Sequence, residues 1–122
     1  MPLPEVALKL HTPLGHCNTQ KIPSGTARAA NDRVVTNGKV GIVVADTEAT
    51  NEPVVIVETD SQGITLPKAS VAVAALEDAY YDSNDDVFTN DGSLSSVTKC
   101  GYFAEPAAAG DAEARIVLNL GA

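Results

Sequence analysis

Residues 38–66, GKVGIVVADTEATNEPVVIVETDSQGITL, constrain the fold more than any other stretch of the chain. Two β-branched runs, 40–45 and 54–58, flank a polar segment; a third, 63–66, follows a second polar turn and ends at Pro67. Branching at Cβ stiffens a side chain and suits the pleat of an extended strand. The intervening TEATNEP and TDSQG have the composition of turns. The stretch predicts an antiparallel hairpin with a returning strand, at the centre of an all-β domain.

The rest of the chain extends that pattern. Asn37 and Gly38 both tolerate positive φ and predict a type I′ turn joining 33–36 to 39–45. Ala79, Tyr80 and Tyr81 seed a strand, Asp82 to Asp86 a polar turn, and 87–89 the return strand. Residues 94–98 and 100–104 form two short strands or one bulged strand, with Gly101 at a bend or close contact. A terminal strand is expected over 114–120. The window 67–76, PKASVAVAAL, reads as helix by its alanines and equally as a small-residue strand. Short strands punctuated by turns predict a small antiparallel barrel or sandwich. Ahead of it, two prolines in the first four residues predict an extended arm. A short strand is expected over 5–10, loop over 11–26 and a helical turn over 27–30. The organisation is thus an N-terminal arm and loop, 1–29, followed by a β-rich domain, 30–122.

The length of 122 residues suits one domain, and a core built largely of Ala and Val, with no Trp, two Phe and three Tyr, buries modest area. Self-association would supply further burial. The formal charge of −8 argues against nucleic acid, whose phosphates need Lys and Arg. The charge is uneven. Residues 1–40 carry five basic side chains against two acidic, and residues 41–122 carry three against fourteen, a formal +3 against −11. A basic front region meeting an acidic partner surface follows from this split. Lys9, Lys21, Arg28 and Arg33 are the contact candidates. Tyr80 and Tyr81, adjacent on one strand, should face opposite ways, one into the core and one toward an oligomer interface. MPLPEVALKL lacks the apolar run of a signal peptide, and no stretch nears the roughly 20 apolar residues of a membrane span. Free thiols in a reducing compartment are expected of Cys17 and Cys100.

No constellation specifies catalysis. His11, His16, Cys17 and Cys100 are zinc-ligand types, but their spacing matches no closed pattern. His16 beside Cys17 lacks a third group to orient the ring. GHCNTQK has neither the Gly before its Lys nor the Ser or Thr after it that a phosphate loop needs. Asp82, Asn84 and Asp86 alternate like calcium ligands, but Val87 and Ser93 stand where Gly and Glu are required. Glu58 and Asp60, with Asp46 or Glu48, could pair for acid–base work on a sugar, yet no Trp is present to stack one. No cofactor and no metal are expected, and the chain is read as a non-enzyme.

Several segments, in order, resemble a known family: GKVGIV at 38–43, EPVVIV at 52–57, GITLPK at 63–68, EDAYYD at 77–82, VFT at 87–89, GYFAE at 101–105, Gly110–Asp111 and RIVLN at 115–119. Together they are similar to the head decoration, or capsid cement, proteins of tailed bacteriophages, from about Ala30 to Leu120. The resemblance implies a β-rich virion protein that binds the major capsid protein on the outside of the head. It also implies a homo-oligomer, with a trimer favoured, that stabilises the expanded shell, after a period in the host cytoplasm during assembly. Neither nucleic acid nor membrane is an implied partner. The front departs from the family pattern, since 1–29 lacks its glycine-rich opening strand. The alternatives are a carbohydrate- or calcium-dependent adhesive β module on the virion, and a small enzyme on a β scaffold.

Overall fold

The computed structural model describes residues 8–11 and 13–119. The arm expected at 1–4, the start of the strand expected at 5–10, and Leu120 lie outside the described residues. After a 3₁₀ turn at Leu14–His16 the described residues form nine strands: β1 (Asn18–Lys21), β2 (Arg33–Thr36), β3 (Lys39–Val43), β4 (Val54–Glu58), β5 (Ile64–Pro67), β6 (Asp78–Asp82), β7 (Val87–Thr89), β8 (Val97–Phe103) and β9 (Glu113–Leu118). They form two antiparallel sheets, β1-β4-β3-β2 and β5-β9-β8-β6-β7. The fold is all-β, and it is a sandwich rather than a closed barrel.

The first hairpin follows its turn chemistry. Asn37 and Gly38 stand at φ 51° and 74°, and Thr36 pairs with Lys39 across them. β3 and β4 then run antiparallel with Ile42 opposite Ile56. Val40, Ile42 and Ile56 of this sheet meet Ile64, Leu66, Phe88, Phe103, Ile116 and Leu118 of the other, and that layer is the core. Ile42, Ile56, Ile64, Leu66, Phe88, Phe103 and Ile116 are wholly buried. Burial of such side chains contributes roughly 1.5–3 kcal/mol each.

The third run of the opening stretch does not return beside the first two. β5 crosses to the other sheet and pairs with β9, Ile64 opposite Ile116. The turn before it directs the crossing: Asp60 accepts the Gln62 amide at 2.9 Å, and Gly63 stands at φ 71°. A Cβ on Gly63 would collide with the Ile116 carbonyl, so only glycine lets the strands close there. Gly101 is the other close approach: β8 is one strand, and a Cβ at Gly101 would collide with the Val117 carbonyl oxygen.

Residues 68–76 form neither helix nor extended strand. Their backbone bonds go to distant neighbours instead, with Ala69 N donating to Phe88 O and Val73 paired to Ala107. Lys68 is buried there, its ammonium donating to the carbonyls of Ala69 and Val71 at 2.7 Å. On the N-terminal side, 18–21 is strand rather than loop: β1 pairs with β4, so the described structure continues across the boundary expected near Ala30. Residues 27–30 enter a turn held by Asp32, which accepts the Ala29 amide at 2.9 Å.

Candidate functional site

β3 and β4 do not alternate buried and exposed residues; their interiors are buried on both faces. Val43, Val55 and Val57 point away from the main core and form a second cluster with Val34 and Ile22. The segment after β1 lies along part of this face, tied by Ile22 N to Pro53 O and by Asn31 N to Val43 O. The remainder is an open groove of about 420 Å³. Its floor is Val34, Gly41, Val55 and Val57. One wall is Gln20, Lys21, Ile22 and Pro23; the other is Thr36, Asn37 and Lys39 at the hairpin tip. A Cβ on Gly41 would lie 2.7 Å from Val55 Cγ2, so the missing side chain lets Val55 lie across β3 and keeps the floor level.

The groove has an apolar floor, a lysine on each wall and amide and hydroxyl groups between them. It offers burial to an apolar side chain and cationic partners to carboxylates beside it. It holds no acid–base pair. Among the described residues no three His, Cys, Asp or Glu side chains converge as metal ligands would. Cys17 and Cys100 are both free thiols. The alternating acidic turn is occupied by its own structure: Asp82 accepts the Asn84 amide at 3.0 Å and the Ser96 hydroxyl at 2.6 Å.

The basic candidates separate. Lys21 is exposed on β1 and lines the groove. Arg28 is half-buried, with its backbone bridged to Thr47. Lys9 makes an ion pair with Glu113 at 2.7 Å. Arg33 turns inward: its guanidinium donates to both Asp86 carboxylate oxygens, at 2.9 and 2.7 Å, and its side chain is 11% exposed.

The tyrosines divide as adjacent strand residues do. Tyr81 packs on Phe88, ring centroids 5.1 Å apart, and donates its hydroxyl to Asp86 at 2.7 Å. Burial and the Asp86 carboxylate push that phenol up to about 12. Tyr80 is half-buried beneath the loop after β7, where a Cβ on Gly92 would lie 2.6 Å from its ring.

The groove is the surface that sequence reasoning missed. Its signal was the unbroken apolar runs VGIVV and VVIV, which mark strands covered on both faces rather than one.

A family model for phage cement proteins matches residues 15–119. The match starts at the 3₁₀ turn, ahead of β1, and reaches past β9, so it takes in both sheets and the groove. Neither a curated protein nor a solved structure matches the chain. With nearly its whole length covered by that model, both sheets of the sandwich included, the chain belongs to the phage cement protein family.

Proposed function

We propose that this protein binds the outer surface of the phage head through the major capsid protein and stabilises the expanded shell, without performing chemistry. Membership of the cement family carries the reading; the role it gives is structural, capsid-associated and located in the virion. The physical means is added interface: a protein that binds the assembled shell and not its free subunits stabilises the shell by mass action. Several copies joined together gain avidity without new contacts, so a homo-oligomer, with three copies favoured, suits the task. After synthesis in the host cytoplasm, assembly onto completed heads follows. Nucleic acid and membrane are not partners in this reading.

The basic front region remains the proposed capsid contact. Lys21 and Arg28 enter no ion pair among the described residues, whereas Arg33 is spent inside the sandwich and Lys9 is shared with Glu113. Co-sedimentation of the purified protein with expanded and unexpanded empty heads tests this. Pelleting with expanded heads, and a raised melting temperature of those heads, is the expected result. Absence from both pellets would refute the proposal.

A further inference from the structure

One exposed side chain matches the groove. Leu76 is 74% exposed, far more than the other exposed large apolar residues among those described, Leu14, Val35 and Leu94, each at 42%. It sits at the tip of the turn before β6 with φ 67°, a left-handed backbone that suits Gly or Asn and disfavours leucine. The turn is built to hold it there. Leu76 N donates to Phe103 O at 2.8 Å, Phe103 N donates to Glu77 O at 2.9 Å, and the Glu77 carboxylate accepts the Ala74 amide at 2.9 Å. Those bonds, first from the Ala74 amide and then from Asn90, hold the Glu77 carboxyl below the usual range, so it is ionised. Asp78 follows, exposed at the start of β6; its pair with Lys99, at 3.6 Å between two exposed side chains, is weak enough to be exchanged for another cation. The chain thus displays one apolar knob with two carboxylates directly after it.

The groove offers the complement: an apolar floor between Lys21 and Lys39. Leu76 is held by the five-stranded sheet, the groove belongs to the four-stranded one, and the exposure of Leu76 shows that a chain does not fill its own groove. We infer that the groove receives the Leu76 turn of a second copy of this chain, with Lys21 and Lys39 facing Glu77 and Asp78 of that copy. The contact joins two different surfaces, so it is heterologous, the kind of contact that builds a ring when the rotation between copies closes. Each copy has a formal charge of −8, and this pairing places the few cations of one copy against anions of the next. Lys21 then serves self-assembly, leaving Arg28 for the shell in the reading above.

Light-scattering mass measured over a concentration series tests the contact. The wild-type chain should form a defined oligomer. Leu76→Asn, which keeps a residue suited to positive φ, should retain or raise the thermal midpoint while weakening self-association at least tenfold. Lys21→Glu should weaken it several-fold, and adding Asp78→Lys in the same chain should recover part of the loss. A wild-type chain that stays monomeric throughout, or an oligomer unmoved by Leu76→Asn, overturns the inference; in either case the groove is left for a segment of the capsid protein. Heads take no part in this readout, so failure of capsid binding cannot imitate either result.

Discussion

Arg33 and Asp86 join the two layers of the sandwich. Arg33 lies on β2 of the four-stranded sheet and Asp86 in the turn between β6 and β7 of the other, and two hydrogen bonds of 2.9 and 2.7 Å connect them. Tyr81 donates to the same carboxylate from the core side. Arg33→Ala should lower unfolding free energy by about 1–2 kcal/mol, the range for charge-assisted bonds discounted because Asp86 is 59% exposed. Partial burial pushes the Asp86 carboxyl up, but bonds from Arg33 and Tyr81 and the Arg33 charge outweigh it, and the net direction is down. A carboxyl depressed by folding contributes stability above its unfolded value, near 4, and loses it as pH falls through the folded value. Urea midpoints for wild type should therefore drop more steeply below about pH 4 than those of Arg33→Ala.

Alkaline pH should act on Tyr81. Its hydroxyl is pushed up to about 12 by burial first and by Asp86 second, against an unfolded value near 10. A phenol raised by folding contributes stability that is complete below pH 10 and is lost as pH rises toward 12. Tyr81→Phe should remove that alkaline loss, read from denaturation midpoints between pH 9 and about pH 11.5.

The two thiols should react in a fixed order. Burial pushes Cys100 up to about 12, and its Sγ donates to Ala79 O at 3.4 Å. Cys17 is raised too, by partial burial and then by Asp60, but it remains at the surface of the core. Because the thiolate is the nucleophile, a thiol reagent at pH 8 should modify Cys17 slowly in the native protein and Cys100 only after unfolding. Peptide mapping of the alkylated protein checks the order, and native labelling of Cys100 at the rate of Cys17 would contradict it.

Gly101→Ala should cost about 3 kcal/mol or prevent folding, because the new methyl meets the backbone of β9 rather than a side chain able to move. Gly110→Ala is the control: a Cβ there meets no atom within 4 Å, and stability should change by less than about 0.5 kcal/mol. Soluble yield and thermal midpoints of the pair separate the two cases.

Local chemistry made part of this fold readable. Asn37 and Gly38 announce their turn because only residues tolerant of positive φ fit it, and Val40 to Val43 and Val54 to Val57 announce strands by branching. What stayed hidden depends on partners distant in sequence. Asn18 to Lys21 is polar and exposed throughout, and becomes a strand only because β4 offers its edge. Arg33 looked like surface charge, since nothing near it in sequence marks Asp86 as its partner. The groove needs residues from four strands, and Leu76 reveals itself only through a backbone angle and an exposure that no sequence pattern carries.

The five-stranded sheet leaves little unpaired backbone at its margins. Thr65 N donates to Lys9 O and His11 N to Gly63 O along β5, and a parallel bridge between Lys68 and Phe88 ties the end of β5 to β7. Open margins remain on the other sheet, at β1 and β2, and β1 is short, polar and ends in a lysine. Strands that end this way resist uncontrolled pairing with their own kind. A chain with margins of this kind can reach high local concentration without growing into fibrils.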